Sequence, residues 1–168
     1  LFCERYYDML KAYDNKESNS QEAKSAFNSY YDDYSAGARF ILAWNGIQNH
    51  TLKLGANYKR DVHRSHDDLD PVAKQDEYTA SVALEDTWEA SNKLFFLAGA
   101  GFFYHKGKKA EMFEPLPGSN TYWIVSYPTS SDQDINYQFA VDYKHNSNHS
   151  FRFSFSRNAR FASLKDRY

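Results

Sequence analysis

The stretch Asn49 to Arg60, NHTLKLGANYKR, is the one on which the reading of the whole chain turns. Thr51, Lys53, Gly55, Asn57 and Lys59 alternate with Leu52, Leu54, Ala56 and Tyr58. This period of two puts the polar set on one face of a β-strand and the apolar set on the other. Such an apolar face rests either on a protein core or on lipid. The neighbouring strands have to arbitrate.

The chain has 168 residues, enough for one domain with a core or for part of something larger. Aromatic residues make up 18% of it, with 14 Tyr and 13 Phe, yet the mean hydropathy is -0.78. Many rings within a hydrophilic average imply rings gathered on one side of strands. A formal net charge of -2, with Lys and Arg scattered, gives no nucleic-acid footprint. Cys3 is the single cysteine, which excludes an internal disulfide and a cysteine-based zinc site. The longest apolar run, LFFLAGAGFFY from Leu94 to Tyr104, is too short for a spanning helix of about 20 residues. A membrane span in this chain is therefore a β one.

The pattern predicts strands at 1–13, 34–44, 50–63, 77–89, 93–109, 134–145 and 149–157, with a small extra strand over Tyr122 to Val125. NGIQN (45–49), ASN (90–92) and NSN (146–148) are short and turn-like, whereas 14–33, 64–76 and 110–133 are long and polar. The expected fold is all-β: an antiparallel up-and-down meander of seven to eight long strands, part of an outer-membrane β-barrel or a small version of one. Residues 1–168 form a single barrel segment in this reading, with no plug and no second domain. Sorted loop lengths are the habit of such barrels.

The rings add a second argument. Tyr34, Ala36, Ala38, Phe40, Leu42 and Trp44 share a face, as do Tyr78, Ala80, Val82, Leu84, Asp86 and Trp88, each set running from Tyr to Trp. Ten residues at about 3.3 Å rise and about 40° tilt project to roughly 25 Å, the height of an outer-membrane barrel's apolar band. Trp44, Trp88 and Tyr143 would mark the interface at the short turns, and Tyr34, Tyr58, Tyr78, Tyr104 and Tyr137 the opposite one. The other face carries Arg39, Lys53, Asn57, Glu85, Gln138, Asp142 and Arg152, residues costly in a dry core and ordinary on a wet lumen. Asp86 is the exception on the apolar phase. Gly37, Gly55, Gly99 and Gly101 point to the polar side, where they either admit a packed inner domain or relieve strand curvature.

Several runs resemble successive strands of the β-barrel of TonB-dependent outer-membrane receptors: YDDYSAGARF (31–40), NHTLKLGANYKRDVHRSH (49–66), EYTASVALEDTWEASNKLFFLAGAGFFY (77–104) and FSFSRNARFASLKDRY (153–168). The more specific pieces are the HTLKLG strand start, the hairpin of Leu84, Asp86, Trp88, Lys93 and Leu94, and the run from Ser156 to Tyr168, where Ala162 and Ser163 replace a usual Pro-Thr pair. The resemblance implies a Gram-negative outer-membrane importer of a scarce ligand, siderophore, cobalamin, metal or glycan, through a 22-stranded barrel with an internal plug. It also implies an energy-transducing inner-membrane complex as partner of the full-length receptor. The chain has too few strands for that barrel and reads as a central barrel fragment or a truncated product. Membrane lipid is the expected partner of the wall, no cofactor is implied, and the chain is not expected to be an enzyme.

In HRSHDDLD, His63, His66, Asp67, Asp68 and Asp70 form a weak metal-binding candidate whose spacing fits no standard loop. His145 and His149 with Ser147 or Ser150 lack a third orienting group for catalysis. Tyr30, Tyr31, Phe113 and Trp123 sit in or near the long loops, where rings contact ligands or pack the loop. The competing readings are a soluble antiparallel β-sandwich or barrel binding a carbohydrate-type ligand, and a self-contained small outer-membrane barrel.

Overall fold

The computed structural model describes residues 1–13, 26–68, 70–118, 121–159 and 161. Most of the run after Arg157 lies outside the described residues, as do residues 14–25 of the first long connection. The strands are β1 (Phe2–Lys11), β2 (Asn28–Trp44), β3 (His50–Asp67), β4 (Ala73–Ser91), β5 (Leu94–Pro115), β6 (Tyr122–Ser126), β7 (Ser131–Lys144) and β8 (Ser150–Arg157). They form one antiparallel sheet in the order β1-β2-β3-β4-β5-β7-β8, with β6 paired off that path to the far end of β5.

The short turns are built by their own side chains. Asn49 takes a positive φ of 64° where β3 begins, a conformation that asparagine tolerates. Ser91 Oγ accepts the amide of Leu94 at 3.1 Å, and Asn146 Oδ1 accepts the amides of Asn148 and His149, both at 2.9 Å.

The long-loop side differs from expectation. Residues 64–76 are not a loop: β3 and β4 stay paired out to Ser65 and Ala73, leaving only residues 68–72 between them. β2 likewise starts at Asn28 rather than Tyr34. The residues there are mostly polar on both faces of the strands, so the alternation that betrays a strand is missing. The small strand near Tyr122 exists, but as the partner of Glu111–Pro115 in a projecting hairpin. It adds no eighth stave to the wall.

Among the described residues no second sheet covers the apolar face and no pairing joins β1 to β8. These facts oppose the sandwich and the closed small barrel. Among the described residues the buried apolar side chains are only Val62, Ala73, Ala110 and Ala140. Meanwhile Phe151, Phe153 and Phe155 are more than half exposed. A sheet with so little core needs an external partner for its apolar face.

Candidate functional site

The register fixes which residues share a face. Tyr58 stands opposite Ala38 and Ala80, Tyr104 opposite Ala80, Tyr137 opposite Ala100, Trp88 opposite His50 and Phe96, and Tyr143 opposite Leu94. Tyr34, Trp44, Tyr58, Tyr78, Trp88, Tyr104, Tyr137 and Tyr143 therefore all lie on the apolar face. The rings touch along the rims. Tyr58, Tyr78 and Tyr104 form a chain with centroids 5.8 and 6.0 Å apart, and Trp88 stacks on Phe96 at 5.2 Å and on His50 at 5.7 Å.

His50 explains how Asp86 is tolerated on this face. Its Nδ1 lies 2.7 Å from Asp86 Oδ2, so the carboxylate beside Trp88 has a hydrogen-bonded partner near the short turns. Sequence reading missed His50. Its signal was positional: a histidine that a meander register sets opposite Trp88.

Beyond the tyrosine row the same face changes chemistry. Arg60 pairs with Asp76 through two bonds of 2.8 and 2.5 Å, Lys74 reaches the same carboxylate at 3.2 Å, and Asp32 bridges Arg5 at 2.9 Å and Arg64 at 2.7 Å. The Arg60 guanidinium holds the Asp76 carboxyl below the usual range despite burial, with Lys74 assisting. Arg5 and then Arg64 do the same for Asp32. These pairs belong to strand extensions past the ring row, so β3 at 18 residues and β4 at 19 are about twice the length a tilted membrane strand needs.

The opposite face carries Arg39, Lys53, Asn57, Glu85, Gln138, Asp142 and Arg152 in linked rows. Arg39 donates to Asn57 at 2.7 Å and Asn57 to Ser81 at 3.2 Å. Lys53 reaches Glu85 at 3.3 Å, and Gln138 donates to the other oxygen of Glu85 at 2.7 Å. Gln138 and Glu85 lie on β7 and β4, separated by β5, and the bond passes over Gly99. A Cβ at Gly99 would sit 3.4 Å from the Gln138 Cγ. The glycine lets a side chain cross the strand, a third use besides the two foreseen. Arg152 faces Asp142 at 3.5 Å.

Nearer the long-loop end this polar face holds a second group that sequence reading did not single out. His105, 1% exposed, places Nε2 at 2.9 Å from Glu77 and Nδ1 at 3.6 Å from Asp132, with the Phe161 ring 5.7 Å away. An imidazole between carboxylates of the two flanking strands ties β4, β5 and β7 together. No motif announces it, because the partners are distant in sequence and meet only through register.

The weak metal candidate is dispersed. His63 Nδ1 meets Asp33 at 2.5 Å on the polar face, His66 stacks on Tyr30 at 4.9 Å on the apolar face, and Asp68 accepts from Asn28 at 2.9 Å. Asp67 accepts from Ser29. Asp70 sits in the turn, its carboxyl pushed up by burial and by Asp67 and Asp68. Among the described residues no three potential ligands gather to hold a metal. Adjacent strand residues point apart, which the count of ligands per stretch ignores. The long-loop end closes with the β5–β6 hairpin, where Trp123 is 49% exposed and Tyr127 donates its hydroxyl to Glu114.

A sequence model described as TonB dependent receptor-like, beta-barrel, matches residues 4–168. The chain belongs to the TonB-dependent receptor β-barrel family. Members of this family are transport receptors of Gram-negative outer membranes rather than enzymes, working with TonB and a small-molecule ligand. The fold is similar to that of the copper transporter OprC, with a TM-score of 0.75 at 13% identity, 96% of this chain covering 27% of that one. The ferric-catecholate import receptor Fiu from E. coli K12, in its open form, gives a TM-score of 0.52 at 9% identity, with 90% of this chain covering 30% of that one. The chain thus spans about a quarter to a third of these TonB-dependent receptors. No curated protein sequence matches it.

Proposed function

We propose that the chain is a stretch of barrel wall in an outer-membrane TonB-dependent receptor that takes up a scarce ligand of the siderophore, cobalamin, metal or glycan class. The observation that carries this reading is the banded apolar face. A Trp and Tyr rim at the short turns, an exposed aliphatic and aromatic middle and a tyrosine row give way to ion pairs while the strands run on. A bilayer about 25 Å thick in hydrocarbon supplies the missing partner for that middle band. The polar face then looks onto the lumen, with Lys53, Glu85 and Gln138 among its lining. The open edges of β1 and β8 need further strands, since unpaired backbone in hydrocarbon costs several kcal/mol per group.

The test is to fold the chain, alone and joined to the rest of its receptor, into bilayers containing brominated lipids. Trp44 and Trp88 fluorescence should be quenched. If the chain instead stays monomeric and folded in plain buffer, with both tryptophans shielded from aqueous quenchers, the reading is wrong.

A further inference from the structure

Just past the tyrosine row, the apolar face presents two ammonium groups that no carboxylate answers. Lys106 stands in register opposite Tyr78 on β4 and Ser131 on β7, two residues beyond Tyr104 on the same face. Lys108 is the extra residue of a β-bulge, because Glu77 faces Gly107 while Asp76 faces Lys109. Its Nζ lies 5.4 Å from the centre of the Tyr78 ring. Both lysines are exposed, and among the described residues neither enters an ion pair. Their neighbours differ: Arg60 and Lys74 share Asp76, and Lys109 holds Glu111 at 2.6 Å. The patch as a whole sets Arg60, Lys74, Lys106, Lys108 and Lys109 against Asp76 and Glu111. It is strongly positive at the level where the face turns from apolar to polar.

Resting on the membrane reading above, we propose that Lys106 and Lys108 bind the phosphate of an anionic lipid whose acyl chains lie along Val82, Leu84 and Phe102. Cations placed at a headgroup boundary attract anionic lipid, each contributing roughly a fivefold gain in affinity. The rings of Tyr78 and Tyr104 lie 6.0 Å apart beside Lys106, and a tyrosine at such a boundary sets its apolar body against the band and its polar tip toward the headgroup. A dissolved phosphate ion would meet the same charges but would leave the apolar row beneath them unused. A lipid engages both. The bulge has a stated job in this arrangement: it inserts Lys108 over the Tyr78 ring without breaking the pairing on either side.

The experiment places the receptor chain in phosphatidylcholine nanodiscs and titrates fluorescent lipid A against its dephosphorylated form. The phosphorylated lipid should bind more tightly, and K106A/K108A should lower that preference roughly 25-fold. K106R/K108R should keep it, and K93A/K144A, at the short-turn rim, should leave it unchanged. Millimolar inorganic phosphate should not displace the lipid. Circular dichroism of each variant confirms that it is folded. Equal binding of the two lipids, indifference to the double alanine, or ready displacement by free phosphate would each overturn the proposal while sparing the membrane reading. Failure to enter the disc, with a folded monomer left in buffer, overturns both.

Discussion

One face of the sheet carries two different surfaces. Between Trp88 and Tyr78 its members are apolar apart from the His50–Asp86 pair, whereas between Tyr78 and Ala73 the same side of the same strands is occupied by Arg60, Lys74 and Asp76. Backbone pairing does not register the change. The lesson is that the boundary of the apolar band is set by side-chain chemistry at a ring row and not by the end of a strand. A strand's length therefore says little about how much of it carries the apolar band.

Substitutions across that boundary break the comparison most directly. Leu54→Arg, opposite Leu84 in the middle of the band, should destabilise the bilayer-inserted form by about 2–4 kcal/mol, while Met9→Arg, beyond the ring row, should cost about 0–1 kcal/mol. Urea titration in liposomes reads both, and equal effects would mean that the band is no band. Gly37→Val tests the wall independently of lipid. A Cβ there runs into the Tyr58 carbonyl and the Phe2 ring, so a loss of about 1–3 kcal/mol is expected in any medium.

Above the row the effects are electrostatic and smaller. Arg60→Ala leaves Asp76 with Lys74 alone and should cost about 1–2 kcal/mol, recovered in part by Arg60→Lys. The pH dependence has a definite sign. Asp32 and Asp76 have carboxyls lowered by the fold, so their stabilisation is complete above the unfolded value near 3.9 and is lost as pH falls through the lower folded values. Unfolding midpoints should therefore be flat in this respect from about pH 5 to 8 and drop below about 4. Asp70 works in the opposite sense. Its raised carboxyl costs stability at neutral pH and stops doing so in acid, so Asp70→Asn should stabilise slightly at pH 7, by less than about 1 kcal/mol, and not at all at pH 3.

Where the sequence could be read, it was read through alternation. Leu52 to Tyr58 and Tyr78 to Trp88 announce their faces because one side is apolar and the other is not, and part of the family resemblance rests on those same residues. The extensions Ser29 to Asp33, Arg64 to Asp67 and Ala73 to Asp76 read as loops because polar residues occupy both faces there and no alternation marks the strands, although Ser29, Ala73 and Asp76 are buried. The site suffered from a different blindness. His105 with Glu77 and Asp132, and Gln138 with Glu85 over Gly99, are meetings across strands that depend on register and on one bulge. A list of residue types holds no record of register.

At the bulge β5 also changes neighbours. It is bonded to β7 as far as Lys106, Gly107 donates to Ser130, and from Ala110 outward its companion is β6. The hairpin beyond hangs on backbone bonds of its own, while its root is locked between β4 and β7. Its amides should accordingly exchange with solvent far faster than those of β3 to β5. The tip can therefore be lengthened, shortened or exchanged without disturbing a single pairing in the wall.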